Sequence, residues 1–176
     1  MNLSKLHCLI DLSGSMSEYG KPMLVINLLR YIRQFADQND KDIKYFTWQT
    51  DINEISWPMA EDVTLPNSEG SGNVEMFCRW CEINSDTRIL VLTDGYFKLN
   101  KEQRHQLSNF GHLFLIGVGG DANFPLLSVL SNHCYGAEQL DHVLHTMWRA
   151  YFSDIAPLSR VDLTQCLVES KSKDED

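Results

Sequence analysis

The chain has 176 residues, of which 43 % are hydrophobic and 22 % charged, a composition that excludes an intrinsically disordered or low-complexity protein and suits one packed domain. A formal net charge of −9 disfavours non-specific binding to nucleic acid and adsorption to an anionic membrane, since like charges repel. Five scattered cysteines form no disulfide framework, so a reducing, cytoplasmic setting is expected.

The first residues, Met-Asn-Leu-Ser-Lys, have no basic stretch leading into an apolar run, so no secretory signal is expected. No apolar run reaches the roughly 18 residues that a spanning helix needs. Residues 6–10 (Leu-His-Cys-Leu-Ile) read as a buried strand that feeds the polar stretch 11–15. Pro22 opens a helix to about residue 37, with Met23, Ile26, Leu29, Ile32 and Phe35 at helical spacing. Residues 43–48 read as the next strand and 53–57 as a short one, the two forming a hairpin.

Residues 58–73 lack periodicity and contain Pro66, Gly70 and Gly72, which predicts a long loop. A helix is expected at 74–83. Residues 88–93 (Arg-Ile-Leu-Val-Leu-Thr) form a near-continuous apolar run, as in sheets covered on both faces, and end in Asp94-Gly95. A helix at 101–110, a strand at 112–118 ending in Gly119-Gly120-Asp121, and a short helix at 124–130 follow. Cys134-Tyr135 is a last strand and 138–152 a last helix. The domain is expected to span 1–156, with 157–176 as an extension whose charged end frays.

Strands alternating with helices predict a doubly wound α/β domain with a mostly parallel sheet of about six strands and one antiparallel edge strand. In such sheets the site lies beyond the carboxyl ends of the strands. Asp11, Ser13 and Ser15 alternate along one of those ends, so their oxygens can point the same way, and Gly14 lets the backbone turn between the serines. Asp94 supplies a second carboxylate from a neighbouring strand. Oxygen ligands with few carboxylates suit a hard cation, Mg²⁺ first, with Mn²⁺ or Ca²⁺ as alternatives.

The stretch Asp11-Leu-Ser-Gly-Ser15 resembles the Asp-x-Ser-x-Ser motif of the metal-ion-dependent adhesion site in von Willebrand factor A domains. Leu92-Thr93-Asp94-Gly95 resembles the same family's Thr-Asp-Gly stretch. Phe46-Thr47, Ile116-Gly-Val-Gly119 and Tyr135 fall where the family places further strands, and the likeness covers about residues 6–152. The family's remaining ligand is a threonine in a glycine-rich loop. Aligning Gly70-Ser71 with that Gly-Thr makes Ser71 the substitute; an alignment through Asn73-Val74 puts Gly72 there instead, and Ser68 is a weaker candidate. The resemblance implies metal ligation by Asp11, Ser13, Ser15, Ser71 and Asp94, with the aspartates acting through water. It further implies a partner protein whose Asp or Glu completes the metal, and an adaptor role for a larger ATPase, kinase, phosphatase or degradation machine. On this reading, replacing Asp11 or Asp94 abolishes metal-dependent binding and leaves the fold intact.

Other readings compete. Asp-x-Ser-x-Ser also suits a polar turn with a helix cap. An enzyme of the haloacid-dehalogenase phosphatase type would need an acidic residue where Ser13 stands, and a lysine near the phosphate with no clear candidate in the sequence. A structural subunit whose metal loop no longer binds is a third reading. Cys78 and Cys81 lie within one predicted helix and read as buried apolar residues rather than zinc or redox ligands. His142 and His145 read as helix-surface residues.

Overall fold

The computed structural model describes residues 5–58 and 60–153. The expected extension, 157–176, lies outside the described residues. The elements run β1 (Leu6–Asp11), a 3-10 turn (Gly14–Ser17), α1 (Lys21–Gln38), β2 (Ile43–Trp48), β3 (Ile52–Ile55), α2 (Val74–Ile83) and β4 (Arg88–Thr93). They continue with α3 (Lys101–Ser108), β5 (Leu113–Gly117), α4 (Phe124–Leu130), β6 (His133–Gly136) and α5 (Leu140–Ser153). The sheet has six strands in the order β3-β2-β1-β4-β5-β6. Every neighbouring pair is parallel except β2 with β3. This is the expected doubly wound α/β architecture, antiparallel edge strand included.

Alternation along the strands divides the core in two. Cys8, Ile10, Leu90, Leu92, Phe114 and Ile116 face a layer made by Val25, Leu29 and Ile32 of α1 and Val143, Leu144 and Met147 of α5. Leu9, Ile89, Val91, Leu113 and Leu115 face the opposite layer, made by Phe77 and Cys81 of α2, Leu107 of α3, and Leu127 and Leu130 of α4. β1, β4 and β5 are buried throughout, which is why their sequences read as near-continuous apolar runs.

Local chemistry sets the helix starts. Asn73, Asn100 and Asn123 each accept from a backbone N–H of the first turn, and Asn100 with Gln103 completes a capping box. α1 begins one residue before Pro22, because a proline in the first turn forfeits no intrahelical hydrogen bond. β3 ends at Ile55, two residues short of expectation. Trp57 leaves the ladder because its indole N–H donates to the Thr64 carbonyl at 2.8 Å and its ring packs edge-on against Tyr45.

The described residues of 58–73 form no helix or strand, yet they are anchored at several points. Val63 is buried, Asp62 pairs with Arg30, and the Glu69 and Asn73 amides donate to the Leu12 and Gln49 carbonyls. Amide exchange should therefore be slow at Glu69 and Asn73 and fast at their neighbours in this segment. Uniformly slow exchange, followed by mass spectrometry or NMR, would show that the loop is held by more than these anchors.

Candidate functional site

Strand order reverses between β1 and β4, so the chain leaves these two neighbours toward opposite sides and a crevice opens beyond their carboxyl ends. Asp11 is the last residue of β1, and Asp94 follows the last residue of β4. Both side chains are buried, Asp11 at 1 % exposure and Asp94 at 0 %. Two carboxylates at that depth need partners, because an unpaired buried charge is costly.

Asp11 finds them locally. One oxygen accepts the Ser13 backbone N–H at 2.8 Å and the other accepts the Thr93 hydroxyl at 2.6 Å. The Thr93 hydroxyl in turn accepts from the Gly95 N–H, which ties the ends of β1 and β4 together. Burial pushes the Asp11 carboxyl above the usual range, against the pull of its hydrogen bonds to Thr93 and Ser13, and nearby Asp94 adds to the upward shift.

A chain of oxygens runs from the motif loop to Asp94. The Ser13 and Ser15 hydroxyls lie 3.3 Å apart, and the Ser15 hydroxyl donates to Asp94 Oδ1 at 3.2 Å. The Tyr96 N–H donates to the same oxygen at 3.1 Å. Four of the five sequence-predicted residues, Asp11, Ser13, Ser15 and Asp94, are thus brought into one cluster. Ser71 is the exception: its side chain is exposed and hydrogen bonds to none of the other four. It does follow Gly70, whose carbonyl accepts the Gly14 N–H at 2.9 Å. A Cβ on Gly14 would sit 3.2 Å from that carbonyl, so glycine permits this close approach of the two loops. Ser68 is half-buried beside a cleft of about 470 Å³ that Asp11, Met16, Pro22, Ile26 and Leu65 also line.

Lys21 and Tyr96, which the sequence does not single out, complete the site together with Asp121 from the third strand end. Lys21, the first residue of α1, is 1 % exposed. Its ammonium donates to Asp94 Oδ2 at 2.8 Å, to Asp121 Oδ2 at 2.9 Å and to the Ser15 carbonyl at 3.2 Å. Burial works against the charge on Lys21, but the hydrogen bonds to Asp94 and Asp121 win and hold the ammonium above the ordinary lysine value. Asp121 is held below the usual carboxylate range by the same contact. Tyr96 covers the group, its ring centre 5.7 Å from the ammonium and its hydroxyl donating to the Asp121 carbonyl. A signal for Lys21 exists in the sequence: it stands four and seven residues before Val25 and Leu28, on the stripe that α1 buries.

This pairing corrects the expectation that Asp94 can be replaced without harm to the fold. Removing the Asp94 carboxylate leaves a buried ammonium short of its closest acceptor.

The donor set fits a hard cation. Every side-chain donor is oxygen, and one ammonium does not neutralise the carboxylates of Asp11, Asp94 and Asp121. Among the described residues no three His, Cys, Asp or Glu side chains converge as a metal-binding group, so any ion here depends on the serine hydroxyls as well. The other ligand-like residues behave as core and surface. Cys78 and Cys81 are buried inside α2, where burial raises the Cys78 thiol to about 11 and the Cys81 thiol well above its ordinary value. His142 and His145 are exposed on α5, and His145 lies 3.6 Å from Asp141.

Comparison with solved structures identifies the fold as the von Willebrand factor A type. Proximal thread matrix protein 1 from the mussel byssus matches with a TM-score of 0.57 at 12 % identity, over 82 % of this chain and 46 % of that one. The same mussel protein has also been solved with a zinc-occupied metal-ion-dependent adhesion site, and that structure matches with a TM-score of 0.56. A von Willebrand factor type A protein from Catenulispora acidiphila matches with a TM-score of 0.50 at 12 % identity, over 81 % of this chain and 41 % of that one. The chain therefore spans less than half the length of these structures. Neither the protein-family models nor the curated proteins gave a match.

Proposed function

We propose that this chain is a non-catalytic interaction module that recognises a partner protein through a divalent cation, Mg²⁺ in first place, held by Asp11, Ser13, Ser15 and Asp94, with Ser71 or Ser68 reaching in from the neighbouring loop. The observation that carries this reading is the single hydrogen-bonded oxygen cluster at the point where strand order reverses. When bound, the cation offers an open coordination position to a carboxylate of the partner. Asp11 and Asp94 supply the negative charge, and the motif-loop serines supply neutral oxygens. Tyr19 and Met23, close in sequence to the motif loop, are exposed at 88 % and 59 % and offer a partner apolar surface.

The non-catalytic part of the proposal rests on the same geometry. The lysine that an Asp-based phosphatase would need does stand beside Asp94, but it is buried and engaged by two carboxylates. Both oxygens of Asp11 accept hydrogen bonds, and Ser13 stands where such an enzyme needs an acid. The location we favour is the cytoplasm: Cys8, Cys78, Cys81 and Cys134 are all free, and no helix among the described residues is long and apolar enough to cross a membrane. An adaptor role in a larger machine remains part of the proposal.

One observation favours a second reading, a module that binds without metal: Lys21 already gives Asp94 a counter-charge. Affinity capture from lysate in Mg²⁺, and again in chelator, separates the two. Partners retained only in Mg²⁺ are the expected result; an identical set in both conditions means the surface works without the ion.

A further inference from the structure

Lys21 enters the site from the first turn of α1, on the face that otherwise carries Val25, Leu28, Leu29 and Ile32. A helix that only needed to pack would place an apolar residue there, because burying an ammonium costs hydration that ion pairs must offset. The pairs that offset it involve the same carboxylate that the metal reading requires. Asp94 gives Oδ1 to Ser15 and Tyr96 and Oδ2 to Lys21, so no oxygen of this buried group is idle.

We propose that Lys21 is a tethered counter-charge of Asp94 with which a divalent cation competes, so that the protein exchanges an internal ammonium for an external ion at this carboxylate. The proposal rests on the reading of the cluster as a cation site and adds to it a control on occupancy.

Three features equip Lys21 for exchange rather than for a fixed structural role. Its ammonium already touches a second carboxylate, Asp121, which is 41 % exposed. Losing Asp94 to an incoming ion would leave Lys21 paired at the solvent edge rather than stranded. Gly119 keeps its path open: a Cβ there would lie 2.9 Å from Lys21 Cε and 2.7 Å from Asp121 Oδ1. Gly119 also has φ +94, a conformation that side-chain-bearing residues rarely adopt. Tyr96, at 54 % exposure, bounds the group on its solvent side and binds the Asp121 backbone, so that Asp121 stays within reach.

The exchange has a direct electrostatic consequence. A positive charge within hydrogen-bond distance of a metal-binding carboxylate lowers the affinity of that carboxylate for a second cation. Removing it should raise divalent affinity by about tenfold or more.

The test compares the wild-type full chain with Lys21→Met, which keeps the aliphatic stem and deletes the charge. Each is titrated calorimetrically with Mn²⁺ alone and Mg²⁺ alone, and each is melted in chelator and in excess Mn²⁺. Lys21→Met should melt below the wild type in chelator, regain most of that difference in Mn²⁺, and bind Mn²⁺ at least tenfold more tightly. If the variant folds only when Mn²⁺ is present, the exchange is supported in its strongest form. If it fails to fold in either condition, the ion cannot take the place of the lysine and the proposal is overturned. Equal Mn²⁺ affinity in both proteins, with the same melting difference in both conditions, overturns it too and leaves the metal reading of the wild type standing. Mn²⁺ binding by Lys21→Met but not by the wild type supports the exchange and defeats metal-dependent capture by the native protein. Binding by neither removes both.

Discussion

Asp94→Ala is expected to lower unfolding stability by about 3–5 kcal/mol, the usual result of removing one member of a buried ion pair. Asp94 and Lys21 are 0 % and 1 % exposed and 2.8 Å apart. The substitution leaves the Lys21 ammonium buried with Asp121 and the Ser15 carbonyl as its remaining acceptors. Those partners place the loss toward the lower end of the range, about 3 kcal/mol. It also deprives Ser15 and the Tyr96 amide of their acceptor, each a hydrogen bond worth about 1 kcal/mol net. Urea unfolding in chelator measures the effect. The midpoint should fall with little change in slope, since the surface exposed on unfolding is nearly the same. A loss below 1 kcal/mol would mean that Lys21 moves out to water without penalty and that the pair does not hold these loops together. Because the change strikes the fold and the candidate ligand at once, lost partner binding in Asp94→Ala says little about metal.

What the sequence could and could not show follows from which forces act along the chain and which act across it. The apolar runs at 6–10 and 88–93 are legible because both faces of β1 and β4 are covered, so burial shows as composition. The stripe of α1 is legible because its period is helical. Asp11 and Asp94 are legible because a polar residue directly after such a run stands at a strand end. The end of β3 is not legible because Trp57 makes a good strand residue by propensity but is drawn away by the Thr64 carbonyl, a contact no local pattern contains. Residues 58–73 read as a plain loop because each anchor joins residues distant in sequence, as with Glu69 to Leu12 and Asn73 to Gln49.

Lys21 is the instructive miss. A lysine ahead of a proline at a helix start is ordinarily a solvated residue, and its place on the apolar stripe is the first position of the helix, where fraying is common. Its meaning comes from Asp94 and Asp121, 73 and 100 residues later. Gly119-Gly120-Asp121 reads as a polar strand end, and nothing in that tripeptide names the side chain it meets. Ser71 shows the converse: a residue that matches a motif by alignment, whose loop does approach Gly14 but which is itself exposed.

Asp11→Asn is the substitution that separates recognition from folding. Asp11 has no cation against it; its partners are the Ser13 amide and the Thr93 hydroxyl. Its pKa is raised above the ordinary value, by burial first and with Asp94 adding to it. For an acid, a folded-state pKa above the unfolded one means that the fold favours the neutral form. That contribution is complete below the unfolded pKa and is lost as pH rises through the folded one, so ionising Asp11 does not itself stabilise the fold. Asparagine keeps the shape and one acceptor oxygen, and the Thr93 hydroxyl can turn to accept from the new amide. Stability in chelator should therefore stay within about 1 kcal/mol of the wild type or rise slightly. Binding should behave differently. The cluster has Asp11 and Asp94 as its buried carboxylates, and Lys21 already engages Asp94, so Asp11 carries most of the charge left for a divalent ion. Its loss should weaken Mg²⁺-dependent partner capture by about a hundredfold or more, equivalent to some 2.7 kcal/mol. Folding retained with capture lost is the result expected of a metal-recognition site. If Asp11→Asn captures the same partners as the wild type, in Mg²⁺ and in chelator alike, then the oxygen cluster is a structural tie between β1 and β4, and the partner docks elsewhere on the surface.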